Sequence, residues 1–589
     1  MRRAIHNILS IDGVLVALMA VAIWGCTAGA EHRDATQGGV ATIQFKDVTH
    51  AAGLGDFLHE NGAVGRKWYP EMMGSGGGFF DFDGDGWLDI LLLGGGTWDP
   101  EPGAEPRAIW LYRNMGDGTF VDYTEEAGLL DVRAYTVGFA AADYDNDGDT
   151  DFVVTNIGRD MLFRNDGGRF TEVGIEAGLG EREEWGSSPI FFDADRDGDL
   201  DLFVGQYVRW TPETDKWCPE GSRVKLYCIP ADYEGIASRF YRNNGDGTFT
   251  DQTEGAGLIT GPREIREKAL GVVEIDYNED GWPDLYVTTD GEGNLLYENN
   301  GDGTFTERGI LSGVAYGEHG EARAGMGVDA GVIDSTGLLS LLVGNFSEEP
   351  VSVYRHAGGG LFVDRTAASK LAHPSYLTLT FGLVLFDVDL DGDLDLFIAN
   401  GHVYPDRLED QDKITFEQPA QLFLNAGDGT FSEVKQDDGV LSTLMVARGA
   451  AYADFDRDGD LDLLITENAG PVRLWRNDTS GGNFLRVGVS RPDANREALG
   501  TRIVAVMDGL RMERRVRTGS SYLSQSELVA TFGLGNAESV DSLIVYWPYG
   551  RVDRFADVGA NQEIRLVEGE GHWVQVPMSG SSDEEVAVR

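Results

Sequence analysis

The sequence predicts an all-β protein: a seven-bladed β-propeller with calcium loops over residues 41–482, followed by a small β-sandwich-like domain over residues 483–568. Three observations predict it. An acidic nine-residue phrase recurs about every 50 to 80 residues, each copy runs into a short apolar β-rich stretch, and the acidity of the chain is confined to this region.

The first copy of the phrase, Asp81 to Asp89, reads Asp-Phe-Asp-Gly-Asp-Gly-Trp-Leu-Asp. Calcium is a hard cation that takes roughly six to eight oxygens, and alternate side chains of a tight loop converge on one point, with glycine permitting the turn. The side-chain ligands read from the six full copies are Asp81, Asp83, Asp85 and Asp89; Asp143, Asp145, Asp147 and Asp151; Asp193, Asp195, Asp197 and Asp201; Asp276, Asn278, Asp280 and Asp284; Asp387, Asp389, Asp391 and Asp395; and Asp454, Asp456, Asp458 and Asp462. About six calcium ions are therefore expected as cofactors. A seventh copy keeps only Asp334, with Val332, Thr336 and Ser340 where the other ligands belong, so no metal is expected there.

The segments after the loops, such as Phe152 to Thr155 and Leu463 to Thr466, are short and β-branched or aromatic and read as strands. A dockerin-type module, which uses similar loops, repeats at about half this interval and continues into helices, and is set aside on both counts. One repeat reads as four strands: Gly78 to Phe82, the loop, Asp89 to Leu93, a connection, Ile109 to Asn114, a Gly-Asp-Gly turn, and Thr119 to Thr124. Seven such meanders describe a propeller. The last repeat lacks a clear fourth strand after Val472 to Asn477, and the orphan N-terminal phrase Ile43 to Thr49 supplies it, closing the ring.

Successive connections alternate ends, so acidic loops share one face with the Gly-Asp-Gly turns. The long connections Thr97 to Ala108, Gln206 to Ser238 and Gly401 to Ala420 share the other, which is the expected functional face. Trp185, Lys268, Arg323 and Arg448 precede innermost strands and His402 opens an insertion, making these five the candidate ligand face for an anionic or sugar-like ligand, against the plainer reading of salt bridges between blades. No nucleophile elbow, metalloprotease helix or phosphate loop is present, and no catalytic residue is assigned.

The net charge is −52, of which residues 41–482 hold 32 basic and 81 acidic side chains while residues 483–568 hold 11 of each. Such acidity argues against a nucleic-acid partner. Residues 1–26 read as an export signal, with Arg2, Arg3 and the apolar run Val14 to Trp24. Gly25-Cys26 resembles a lipobox in which Cys26 is acylated and attaches the chain to a membrane; Trp24 and Asp12 are atypical of one, and plain secretion is the alternative. A spacer covers residues 27–40. Export places Cys218 and Cys228 in an oxidising compartment, where a disulfide is the simplest reading. The strands expected after Asn483 include the basic run Arg511 to Arg517, explained equally by docking on the acidic propeller or by an outside partner. Residues 569–589 read as a disordered tail.

The phrases Asp143 to Asp149 and Leu-Tyr-Arg-Asn followed by Gly-Asp-Gly-Thr-Phe resemble FG-GAP, or VCBS, repeats of the integrin α-subunit type. Leu499 to Arg502, Thr518 to Ser526, Phe532 to Gly535 and Val545 to Gly550 resemble an ASPIC/UnbV domain. The tandem resembles the cartilage-acidic-protein family in its bacterial form. The resemblance implies an extracytoplasmic calcium-binding protein without a defined activity. The expected function is a protein- or glycan-binding adhesion module at the cell envelope or secreted from it; an enzyme or biosynthetic accessory with a site at the pore mouth, and a structural envelope component, are the alternatives.

Overall fold

Each acidic loop is the turn of a β-hairpin. In the first, strands Gly77–Phe80 and Asp89–Leu93 pair antiparallel with Phe80 opposite Asp89, and Ile109–Asn114 and Phe120–Asp122 continue the meander outward. The computed structural model describes residues 42–98, 106–220, 224–259, 267–405, 413–436 and 439–578. The signal segment with Cys26, the spacer and residues 579–589 lie outside the described residues. No described helix is long and apolar enough to cross a membrane.

Among the described residues, seven such four-stranded meanders follow one another, with innermost strands Gly77–Phe80, Thr136–Ala142, Glu184–Phe192, Ala269–Ile275, Val328–Val332, Thr380–Phe386 and Ala447–Ala453. Each innermost strand packs on the next, and the last packs on the first, so the blades form a closed β-propeller. The approach is close enough to require glycine. A Cβ at Gly271 would lie 2.5 Å from the Met326 carbonyl oxygen of the following blade. Between blades, alternate residues of the second and third strands, such as Phe152, Leu285 and Leu396, are fully buried.

The ring is closed by the N-terminal segment. Phe45–Asp47 pairs antiparallel with Val472–Asn477, Phe45 opposite Asn477, and flanking bonds run from Val48 N to Leu474 O (2.9 Å) and from Asp478 N to Gln44 O (2.7 Å). The strand is shorter than the expected Ile43 to Thr49, because Thr49 Oγ1 takes over as acceptor for Leu474 N. Deleting residues 43–49 exposes the edge of Val472–Asn477 and the buried ring of Trp475. The expected result is aggregation or loss of a cooperative melting transition; a deletion variant that stays monodisperse and melts as the parent does would show that the closure is dispensable.

After Asn483 two further four-stranded sheets form. Ala530–Gly535, Asn483–Ser490, Gln562–Val567 and Trp573–Val576 make one, with Asn483–Ser490 and Gln562–Val567 parallel; Leu510–Arg515, Arg502–Met507, Ser539–Tyr546 and Val552–Gly559 make the other. Both contribute to one core through residues such as Leu485, Phe532, Ile503 and Leu543. Two strands were not anticipated. Val552–Gly559 is mostly exposed and carries no apolar alternation, and Trp573–Val576 lies within the expected disordered tail. That tail reading is corrected for residues 573–576, which pair in register with Glu563–Leu566 because Trp573, Val574 and Val576 are strong β formers.

These sheets were read as a separate domain, yet their core is continuous with propeller residues Ala140, Tyr144, Phe191 and Leu202. The basic strand meets the acidic face: Arg515 bonds Glu274 (2.7 Å) and Arg517 bonds Asp329 (2.5 Å). From Arg517 the chain enters the centre of the propeller. Ser521 exchanges backbone bonds with Val328 (2.6 and 3.1 Å), Gln525 N donates to Gly77 O (3.3 Å) and Gln525 O accepts from Phe79 N (3.1 Å). Side chains complete the plug: Thr518 Oγ1 accepts from Phe191 N (3.0 Å), Gln525 Oε1 accepts from Ala141 N (2.9 Å), and Ser526 Oγ accepts from Tyr452 N (3.1 Å). The propeller has its own chain along its axis where an open pore was expected.

Candidate metal centres

The six acidic loops share one backbone. Their fourth residue, Gly84, Asn146, Arg196, Glu279, Leu390 or Arg457, is left-handed with φ between 57° and 70°. The sixth is a glycine of positive φ, whose N–H donates to the first carboxylate: Gly86 to Asp81 (2.9 Å), Gly148 to Asp143, Gly198 to Asp193, Gly281 to Asp276, Gly392 to Asp387 and Gly459 to Asp454. The fifth carboxylate accepts from the seventh N–H, as in Trp87 N to Asp85 (2.9 Å). These bonds turn the alternate side chains inward over the loop.

The closing carboxylate is buried and held from two sides. Asp89 accepts from Phe82 N (3.1 Å) and Asn114 N (2.8 Å), and Asp151, Asp201, Asp284, Asp395 and Asp462 repeat the pattern. Carboxylate oxygens converge within 4.8 Å of one another in the sets Asp81, Asp83 and Asp85; Asp143, Asp145 and Asp151; Asp193, Asp195 and Asp197; and Asp387, Asp389 and Asp395. One buried oxygen each of Asp193, Asp276, Asp389 and Asp456 has no hydrogen-bond partner. Burial pushes the Asp89 and Asp284 carboxyls up to about 8, Asp151 to about 9 and Asp387 to about 8, against the bonds that favour the anion. Buried oxygens that are unpartnered and crowded by like charge fit a hard divalent cation, and the donor set is all oxygen.

The degenerate loop is arranged differently. Asp334 bonds Arg355 Nη1 (2.7 Å) and accepts from Thr336 N (2.9 Å), so an arginine supplies the positive charge. The same third-strand position holds Arg113 against Asp83 (2.6 Å) in the first blade.

An asparagine that sequence reading did not single out ties neighbouring loops together, except between the loops of Asp276 and Asp334, where His356 stands in its place. Asn114 Nδ2 donates to Leu88 O of its own loop (3.0 Å) and to Phe455 O of the preceding blade (2.9 Å), and Asn165, Asn243, Asn299 and Asn425 each bridge their own loop and the preceding one in the same way. Its signal was its fixed place in the Leu-Tyr-Arg-Asn phrase. The second addition is the C-terminal domain itself, which rests on the loops: Asp193 accepts from the Tyr549 hydroxyl, Asp387 from Gly533 N (3.0 Å), and Asp454 lies 3.2 Å from Arg486. Arg486 is fully buried and also binds Glu527 (2.7 Å) and Glu563 (3.1 Å).

On the opposite face the five expected ligand residues are all buried. Trp185 packs against Tyr69 and Tyr207, and Arg448 lies over Phe381 while donating to the carbonyls of Met72 (3.0 Å) and Ala447 (2.7 Å). Lys268 pairs with Glu292 (3.3 Å) and Arg323 with Glu321 (2.8 Å). His402 meets Ser347 (3.2 Å) and accepts from Tyr404 N (3.1 Å), and burial with Arg448 nearby lowers it to about 4. Trp185 and Arg448 are covered by the segment Trp68 to Met73, which builds an aromatic cluster with Tyr135, Trp210, Tyr233 and Tyr522, and His402 is covered by Phe346 and Tyr404. The expected open mouth is an interior. Cys218 and Cys228 are joined by a disulfide beside the short hairpin Cys218–Glu220 and Val224–Leu226.

The FG-GAP-like repeat family matches residues 81–154, 143–204, 276–343 and 410–465, and the ASPIC and UnbV family matches residues 491–572. Cartilage acidic protein 1 of Xenopus tropicalis is 25% identical over 520 residues, 82% of this chain and 71% of that protein. The chain joins FG-GAP-like repeats to an ASPIC/UnbV domain, the architecture of cartilage acidic protein 1, to which it is similar. The human cartilage acidic protein 1 is 29% identical over 280 residues, 46% of this chain, and the chain spans 39% of its length. Among solved structures, a lectin of Agrocybe aegerita that recognises non-reducing terminal N-acetylglucosamine aligns over 73% of this chain and 93% of the lectin at 15% identity and TM-score 0.39.

Proposed function

We propose that this relative of cartilage acidic protein 1 is an exported propeller, rigidified by about six calcium ions, that recognises a protein or glycan partner at the cell envelope. The unpartnered buried oxygens of Asp193, Asp276, Asp389 and Asp456 support the metal. The recognition surface is carried by one observation: beside the disulfide, Trp217 is 65% exposed and Val224 63% exposed, with Ile229 close in sequence and also exposed. Large apolar side chains on a covalently pinned hairpin lose little entropy on binding, and tryptophan is enriched among residues that dominate interfaces. Chemistry at the pore mouth has no such support, because His402 and its neighbours are enclosed.

The test joins the two halves. Titration calorimetry should give about six calcium ions per chain, one fewer for Asp145→Ala and an unchanged number for Asp334→Ala. Calcium-loaded protein should retain envelope material that Trp217→Ala loses by at least tenfold. Unchanged retention by the tryptophan variant would sink the hairpin as the recognition surface.

A further inference from the structure

The C-terminal domain does not seal evenly onto the propeller. At the first residue of four loops it is anchored: Glu497 accepts from Asp143 N (2.7 Å), and Asp193, Asp387 and Asp454 carry the contacts described above. The Asp334 loop offers no such anchor, since its one carboxylate is turned to Arg355 and Thr336. Between this loop and the bonds of Arg515 to Glu274 and Arg517 to Asp329 lies a cleft of about 820 Å³.

The cleft has two chemically distinct sides. Its roof is the hairpin of Arg502–Met507 and Leu510–Arg515, and its floor includes Ser335, Thr336 and Glu279, all exposed. Arg515 and Arg517 are held by Glu274 and Asp329, and Arg502 by Glu513 (2.9 Å) with its guanidinium 3.9 Å above the Tyr546 ring. Arg511 is exposed and has no ionic partner among the described residues. Arg514 commits Nε to Thr531 O (3.0 Å) and Nη1 to Glu513 O (3.1 Å), whereas its buried Nη2 has no hydrogen-bond partner, Asp387 standing at 3.9 Å. Alternation along the strand puts Arg514 on the core face with Met512, and Arg511 on the cleft face, where an exposed guanidinium without an ionic partner suits a carboxylate or sulfate. Hydroxyls and a carboxylate opposite suit alcohol groups, and the volume far exceeds that of a lone anion.

We propose that this cleft binds an acidic saccharide of about two or three units, its acid group against Arg511 and its hydroxyls toward Ser335, Thr336 and Glu279. The inference rests on the calcium-loaded recognition reading, because cations in the loops of Asp276 and Asp387, which border the cleft, remove charge that would repel an anion.

Calorimetry with the calcium-loaded full chain tests it, using trigalacturonate, a sulfated uronate-containing disaccharide and neutral maltotriose. One or both acidic ligands should bind at one site per chain, at least tenfold more tightly than maltotriose, and whichever binds identifies carboxylate or sulfate as the acid group. Arg511→Glu should weaken that binding at least tenfold by charge, and Ser335→Trp should do so by filling the floor, with both variants melting as the parent does in calcium. No binding of either acidic saccharide, or equal binding of maltotriose, overturns the inference. Acidic-saccharide binding untouched by both variants also overturns it while leaving the recognition reading standing.

Discussion

Removing calcium is expected to lower the melting temperature of the protein by tens of degrees. A site held at about a thousandfold over its dissociation constant contributes about 4 kcal/mol, and in a large domain each kcal/mol moves the midpoint by roughly 2 °C. Six sites acting through one scaffold make the loss large, because asparagines such as Asn114 and Asn165 bond neighbouring loops, all but the pair of Asp276 and Asp334, where His356 takes the asparagine's place. The pH dependence gives a sharper signature. Without a cation, the closing carboxylates have folded-state values well above the ordinary one: about 8 for Asp89 and Asp284 and about 9 for Asp151. A raised carboxyl contributes stability below its unfolded value, near 4, that is lost as pH rises through its folded value. The chelated protein should therefore melt progressively lower from about pH 5 to about pH 9. Calcium requires the ionised form, so the loaded protein should gain from the same rise. Scanning calorimetry with calcium or chelator across that range checks both slopes, and parallel profiles would show that the loops are not metal centres.

The acidic loops were legible because their pattern is local: Asp81 to Asp89 displays carboxylates at alternate positions with a glycine at the sixth, whatever the fold around them. The left-handed fourth residue was hidden, since Arg196, Leu390 and Arg457 carry no glycine signal; their backbone is held by bonds across the loop such as Gly198 N to Asp193. Ring closure by Phe45–Asp47 was legible from repeat arithmetic alone. The filled axis was not. Thr518 to Glu527 reads as small and polar, which by periodicity means a surface loop, yet its hydroxyls and amides replace the backbone partners that innermost strands lack at the centre of a propeller. Nor could the ligand face be judged from sequence. Arg448 looked like a pore-mouth cation because nothing in its surroundings announces that Trp68 to Met73 folds over it. The basic strand Arg511 to Arg517 left docking and an outside partner equally open in the sequence, and the bonds of Arg515 to Glu274 and of Arg517 to Asp329 show docking for these two residues.

The second large effect is expected at the axis. A Cβ added to Gly76 would lie 1.8 Å from the Leu523 carbonyl oxygen, and one added to Gly78 would lie 2.2 Å from the Gln525 carbonyl oxygen. Neither glycine has a left-handed backbone, so alanine is strained at these positions only if the plug is present. Overpacking against fixed backbone costs about 1–3 kcal/mol, and here it also breaks the Gln525 bonds to Gly77, Phe79 and Ala141. Gly76→Ala and Gly78→Ala should each destabilise the chain by about 3 kcal/mol or more, and they should expose the segment Thr518 to Glu527 to protease. Gln525→Ala, which removes the amide without adding bulk, should cost about 2 kcal/mol through the unpaired Ala141 backbone. Because Leu485, Phe532 and Tyr144 share one core, the parent should melt in a single transition, and the glycine variants should separate it into two. Parent-like melting and protease resistance in Gly76→Ala and Gly78→Ala would place the segment outside the channel.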